Sequence, residues 1–381
     1  MSTAYAHLSS ANRTLLDRSE ALARDVLAPI ARSGEPGTVN RPLVAALSEH
    51  GLVPDMLGKG HEIAVLNLCV VREGLARFST EAEIAFALQG LGAHPILVAG
   101  RPEVAGEWIP RVLSGEAVAA FALTEPDAGS DAASLSLAAE PDGAGFRLTG
   151  EKVFISNAPH ADIYTVFGRT TAGAGARGIT AFAVPGDSPG LSGTRIPFIA
   201  DHPIGRLSFD GVHVPGTHVL GEVDHGFGVA MRTLDLFRPS VGAAAVGMAQ
   251  AALDAAVAHA KERQAFGHPL AALQGVSHQL ADVATRVQAS RLLVHSAAAA
   301  HDAGITPITE AAAMAKLFAT ETAAFAVDVA IQVHGARALE RGHLLEHLYR
   351  EVRGIRIYEG ASEVQREIIA RQLFRQAGRG S

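Results

Sequence analysis

GAGARGITAFAV, residues 173–184, decides the fold. Gly173, Gly175 and Gly178 satisfy the GxGxxG pattern of a dinucleotide-binding turn, which requires a strand before the glycines and a helix after them. The next residues are instead ITAFAV, a short run of apolar, β-branched and aromatic side chains that reads as a strand. The glycines are therefore read as a flexible hairpin loop, and a nicotinamide-binding α/β unit is set aside. The same texture extends outward from Val118: FALT (121–124), FRLTG (146–150), KVFIS (152–156), IYTVFG (163–168) and LSFDGVHV (207–214), punctuated by Gly, Pro and Asp. This predicts a compact antiparallel β domain over residues 118–225.

The period differs on either side. Leu15, Leu22 and Val26, then Leu43, Ala46 and Leu47, then Ile84, Leu88 and Leu91 recur at helical spacing, which predicts about four to six helices in an N-terminal helical domain, residues 1–117. Residues 226–381 are helical again and rich in alanine. Val241, Ala244, Ala245, Met248, Ala252 and Ala255 form one apolar stripe, and Leu317, Ala324 and Ile331 another, as in a four-helix-type bundle whose small side chains let backbones approach. The fold class is α+β: helices, a β domain, then a helical bundle, with no βαβ alternation.

Composition narrows the function. The chain is 48% hydrophobic and 19% charged, and a net charge of −7 speaks against nucleic-acid binding. The single Cys69 excludes an internal disulfide and makes a reducing cytoplasm the expected compartment. The N-terminus lacks a basic region followed by an apolar core, so no signal peptide is expected. No membrane span is expected either, since the alanine-rich run near residues 241–261 is interrupted by Asp254, His259 and Lys261. HLLEH (343–347) fits a zinc-binding HxxEH pattern, but no third ligand stands out, and no metal is assigned.

The chemistry-bearing residues sit at breaks between elements. In YREVRGIRIYEGASEVQREIIARQLF, residues 349–374, Glu359 stands between an aromatic residue and Gly360, ahead of a helix marked by the pairs Val364/Ile368 and Ile369/Leu373. A carboxylate on such a break, beside a residue without a Cβ, can be aimed into a pocket. FALTEPDAGSD (121–131) runs from a strand into a turn carrying Thr124, Gly129 and Ser130, whose N–H and hydroxyl groups can cradle a pyrophosphate or meet a polar ring edge. KVFISNA (152–158) places Phe154 and Ser156 on one strand face, suited to a flat heterocycle. KERQAFGHPLAALQ (261–274) presents Arg263, Phe266 and Gln274 around a Gly267–Pro269 turn, a cation and an aromatic able to meet a phosphate and a purine.

In this order, LTEPDAGSD, KVFISN, KERQAFG…LQ, QVHGA (332–336) and IYEGASEVQ resemble the acyl-CoA dehydrogenase family over nearly the whole chain. The resemblance implies a flavoprotein holding FAD between the β domain and the C-terminal bundle, usually as a homotetramer. By position, Phe121, Leu123, Thr124, Gly129 and Ser130 would line the flavin and its pyrophosphate, and Phe154 and Ser156 the ring system. Arg263, Phe266 and Gln274, with Gln332 and Gly335, would reach the FAD of a neighbouring subunit; Ala336, Ala361 and Glu363 also fall on cofactor positions. Ser130, Asp235, Arg238, Tyr358 and Gly360 would meet the acyl-CoA, and Glu359 would be the catalytic base. Some relatives carry that carboxylate just before the helix arginine, but Phe237 stands there, so Glu359 is expected to be the sole base.

The resemblance further implies electron transfer to an electron-transfer flavoprotein. Delivery of the acyl group on a carrier protein is one alternative. A flavin monooxygenase or oxidase on the same fold is a second, which Glu359 argues against; a non-enzymatic role would follow had FAD binding been lost. Three departures stand out: Ala361 where relatives have a hydroxyl residue, Phe154 where Trp is usual, and HGARALERGH (334–343), in which Ala336 and Ala338 replace glycines and Arg337 adds a charge.

Overall fold

The change of period at Val118 corresponds to a sheet, and the computed structural model describes residues 3–57 and 63–377. Its strands are β1 (Ala119–Ala122), β2 (Ala138–Asp142), β3 (Gly145–Ser156), β4 (Ile163–Arg169), β5 (Ile179–Pro185), β6 (Leu191–Arg195), β7 (Ile204–Pro215) and β8 (Val219–Leu220). They lie in the order β6-β7-β3-β2-β4-β5-β8, with β1 on β4. Pairing is antiparallel except that β4 runs parallel to β1 and, at one residue pair, to β2. Strands β4 and β5 form a hairpin from Ile163↔Pro185 to Arg169↔Ile179, so the glycines of GAGARG belong to its loop. Nearly every residue of β4 and β5 is buried, which is why they read as apolar runs and not as alternations. Tyr164, Val166, Phe182, Val184, Leu207, Phe209, Val212 and Val214 form the centre of the core.

The strands differ in detail from the sequence reading. FRLTG and KVFIS are one strand, β3, whose pairing with β7 slips between Leu148 and Gly150 and again between Lys152 and Ile155. The second slip is a bulge, and it places Phe154 at φ 57°, a left-handed conformation uncommon for a side-chain-bearing residue. β1 begins at Ala119, two residues before the predicted FALT strand, which leaves Leu123 and Thr124 in the turn.

The chain divides into two compact units. One comprises Met1–Ala28, Ala64–Glu83 and Asp235–Ser381; the other comprises Pro29–Ile63 and Ile84–Leu234. The N-terminal helices are thus divided between the two units. In the second unit Gln89 pins its helix to β1, donating from Nε2 to Ala117 O and accepting from Ala119 N, both at 2.9 Å.

The first unit is helical. Its long helices include Val65–Phe78, Gln274–Asp302 and Thr309–His334, with most of Gly226–Glu262. Small residues do bring backbones together: a Cβ at Gly247 would collide with the carbonyl oxygen of Glu73. Asp302, at the end of one helix, accepts from the free N–H groups of Val65 (2.8 Å) and Leu66 (2.9 Å) at the start of another. Cys69 lies in the core, where burial pushes its thiol far up from the ordinary range. Thr80–Ala99 and Gly226–Glu262 are long and apolar enough to cross a membrane by length and composition, yet 72% of each apolar window is buried inside the protein, as in core helices of a folded chain.

Candidate active site

Glu359 lies in a tight turn between the helices Leu344–Ile355 and Ser362–Ala377. Glu359 has φ 52° and Gly360 φ 97°. A left-handed glutamate costs about 1–3 kcal/mol, so the surroundings must hold it. Glu321 ties both ends of the turn, pairing with Arg356 at 2.9 Å and accepting from Ser362 Oγ at 2.6 Å. Both carbonyls of the turn are also held. Arg238 Nε donates to Glu359 O at 3.2 Å, and Gly360 O accepts from Lys316 Nζ at 2.7 Å and Gln365 Nε2 at 2.9 Å. Glycine is required at 360, because a Cβ there would strike the Gln365 amide and the backbone is left-handed.

The carboxylate itself is not satisfied in this way. Glu359 Oε2 is buried and has no hydrogen-bond partner among the described residues. Among the described residues the backbone N–H groups of Glu359 and Gly360 have no acceptor either. Burial raises the Glu359 carboxyl above its ordinary range; Arg72, Lys316 and Arg238 pull it down and Glu83 pushes it up. Arg72 is itself fully buried, paired with Glu83 and donating to Ser240 Oγ at 2.7 Å. Tyr358 is raised well above its ordinary range, chiefly by burial, and stays a neutral phenol. The result is a partly desolvated carboxyl beside two unused N–H donors, the equipment for removing a proton next to a carbonyl whose oxygen gains charge.

Asp235 and Arg238 have a further use that the sequence reading missed. Arg238 Nη1 pairs with Asp235 Oδ1 at 2.6 Å, and Thr309 Oγ1 donates to Asp235 Oδ2 at 2.9 Å. The pair therefore braces the Glu359 carbonyl. Arg238 lies 121 residues before Glu359, and no local spacing announces the bond.

In the second unit, the turn after β1 and the bulge of β3 are joined by a buried ion pair. Lys152 Nζ reaches Glu125 Oε1 at 2.8 Å and Leu123 O at 2.9 Å, and Val153 N donates to Thr124 O at 2.9 Å. Burial alone would raise the Glu125 carboxyl; Lys152 and the donors of Ser136 and Leu137 outweigh it and hold Glu125 below its ordinary range. This frame displays Phe154, which is 56% exposed, and the hydroxyls of Thr124, Ser130 and Ser156, which make no hydrogen bond among the described residues. Gly129 faces open space. Phe121 is partly covered against Phe167, and Leu123 is buried. An exposed ring on a strained bulge, three free hydroxyls and an open glycine turn fit a flat heterocycle with a diphosphate.

The remaining sequence-selected residues lie in the first unit. Phe266 is 91% exposed at φ 52°, on a hairpin formed by Gln264–Ala265 and His268–Pro269. Arg263 is exposed and has no carboxylate within 4 Å among the described residues. Gln274 opens its helix, and Gln332, Gly335 and Ala336 are exposed near the end of Thr309–His334, with Gly335 at φ 66°. Ala361 is half-buried beside Gly360, and Glu363 is exposed and pairs with Arg366 at 3.3 Å. The two histidines of HLLEH take separate partners: His343 accepts from Leu345 N at the helix start, and His347 bonds Thr80 Oγ1 at 2.7 Å.

The helical unit holds a carboxylate without a hydrogen-bond partner among the described residues, and the sheet unit, taken by itself, displays an exposed ring and free hydroxyls. Residues 9–116, 120–212 and 224–374 match the N-terminal, middle and C-terminal domains of acyl-CoA dehydrogenase. Cyclohexane-1-carbonyl-CoA dehydrogenase of Geobacter metallireducens is 34% identical over 367 residues, covering 93% of this chain and 95% of that one. Among solved structures, butyryl-CoA dehydrogenase from Megasphaera elsdenii superposes with a TM-score of 0.90 at 31% identity, over 96% of this chain and 99% of that one. The FAD complex of PigA superposes with a TM-score of 0.90 at 27% identity, over 96% and 98%. The chain belongs to the acyl-CoA dehydrogenase family, a family of oxidoreductases.

Proposed function

We propose that the protein catalyses FAD-dependent α,β-dehydrogenation of an acyl-CoA thioester to the trans-2-enoyl-CoA, with Glu359 removing the α-proton. The observation that carries this reading is the buried, partnerless carboxylate of Glu359 beside its own free N–H. Family membership and the acyl-CoA substrates named for the relatives support it. FAD, when bound, supplies the acceptor for the β-hydride. Thr124, Gly129, Ser130, Phe154 and Ser156 are the residues assigned to hold it, with Arg263, Phe266 and Gln274 offered to the FAD of a neighbouring subunit, as in a homotetramer. The N–H of Glu359 donates to the thioester oxygen as charge accumulates there. Tyr358 and Gly360 wall the acyl group. An electron-transfer flavoprotein is the proposed electron acceptor.

An anaerobic titration of the purified protein with butyryl-, isobutyryl-, cyclohexanoyl- and octanoyl-CoA tests the reading. Bleaching of bound flavin by one of them is the expected result. Flavin that stays oxidised with every thioester would count against it.

The acid–base behaviour gives a further expectation. Glu359 must be ionised to act, and burial raises its pKa. The rate of thioester-driven reduction should therefore rise with pH through a midpoint above that of an ordinary glutamate. A rate flat down to acid pH would contradict this. Arg263→Gln is expected to weaken FAD retention by about tenfold or more, the worth of one charge-assisted hydrogen bond, with an unchanged melting temperature of the flavin-free protein. Equilibrium dialysis against free FAD measures it.

A further inference from the structure

The turn at Glu359 is surrounded by cations, and all but one are already matched. Arg72 pairs with Glu83, Arg238 with Asp235, and Arg356 with Glu321. Lys316 is the exception. It is wholly buried on the helix Thr309–His334, it has no carboxylate within 4 Å among the described residues, and its ammonium donates to the carbonyl of Gly360 at 2.7 Å. Glu359 is in the complementary position: its Oε2 is buried, and its carboxylate has no ion pair within that distance among the described residues. A neutral amide could supply the bond to Gly360 O, and Gln365 already does so at 2.9 Å. Burying an ammonium for that bond alone is unfavourable, because the charge gives up its hydration without a counter-charge in return.

We infer that Lys316 is a positioning residue for the base: it clamps the Gly360 carbonyl under the strained turn and acts as the counter-charge that keeps Glu359 ionised. The inference rests on the reading of Glu359 as the base. The charged groups facing the pair are Glu321 on the same helix, Arg238 on Gly226–Glu262, Glu363 on Ser362–Ala377, and Arg72 and Glu83, which act on Glu359. Of these, Arg72, Arg238 and Glu321 are bound to partners of their own, and Glu363 is exposed beside Arg366. Burial lowers the Lys316 ammonium to about 8, with Glu359 as the main opposing influence, so Lys316 is charged at neutral pH.

The test compares Lys316→Met, Lys316→Arg and Glu359→Gln in the FAD-loaded protein. The first readout is the infrared stretch of the protonated carboxyl, followed against pH and assigned by its absence in Glu359→Gln; the second is the pH profile of anaerobic reduction by the acyl-CoA. Lys316→Met should shift the carboxyl midpoint upward and lower the limiting rate by about 10²-fold, the scale of a base displaced from its working position. Lys316→Arg should return the midpoint towards wild type. An unshifted midpoint in Lys316→Met, or one shifted as far in Lys316→Arg, overturns the inference. Should Lys316→Met not fold, Lys316→Gln removes the charge, keeps a donor and decides the same point. An active Glu359→Gln would remove the base assignment itself, whereas an inactive Glu359→Gln with an unshifted Lys316→Met would refute the role of Lys316 alone.

Discussion

Glu359→Gln is expected to lower the rate of thioester-driven flavin reduction on the order of 10⁴-fold, the upper end of what a positioned base contributes. Gln keeps the shape, the left-handed backbone and the N–H, so binding of the acyl-CoA should survive. Stopped-flow reduction under anaerobic conditions separates the two, and reduction at the wild-type rate would refute the base assignment. The same variant should not lose stability. Burial raises the Glu359 carboxyl in the folded state, so folding favours its protonated form. Its contribution to stability is therefore fully present below the unfolded-state value and is lost as pH rises through the folded one. Glutamine resembles the protonated acid at every pH and escapes that loss, but it also takes from Lys316 its counter-charge; the two effects oppose, and a melting temperature near that of wild type is expected at neutral pH.

Much of this was legible because the signals are local. The turn from helical period to short apolar runs at Val118 is a property of neighbouring residues, and so is the strand directly after GAGARG. Glu359 and Gly360 stood out because one element breaks and another begins within a few residues. The features that were not legible depend on partners distant in the chain. Lys152 and Glu125 look like ordinary surface charges in sequence; they are buried only because β3 passes the turn after β1, 27 residues apart. Lys316 and Arg238 reach the base turn from helices 44 and 121 residues away. AAEPD and LSGTR carry the composition of turns, yet β2 and β6 are strands because β3 and β7 supply the ladders. The bulge at Phe154 was equally hidden, since an alternating KVFIS gives no sign of an extra residue.

The Glu125–Lys152 pair carries the largest expected effect on stability. The Glu125 carboxylate accepts from Lys152 Nζ at 2.8 Å, Ser136 N at 2.6 Å, Ser136 Oγ at 2.9 Å and Leu137 N at 2.9 Å. It thereby ties the turn after β1 to β3 and to the segment entering β2. Lys152 is fully buried and burial lowers its ammonium to about 8, with Glu125 working against that shift. Lys152→Met would leave the carboxylate buried without its counter-charge, and removing one member of such a pair typically costs about 3–5 kcal/mol. A urea midpoint lowered by that free energy divided by the m-value is the expected result. Glu125→Gln combined with Lys152→Met should recover part of the loss, because no unpaired charge then remains. Thr124, Ser130 and Phe154 are mounted on the segments the pair joins, so Lys152→Met should also lower the flavin-to-protein ratio under conditions where the chain is still folded. A Lys152→Met protein that unfolds at the wild-type midpoint with full flavin would show that hydrogen bonds to Ser136 and Leu137 hold the frame without the ion pair.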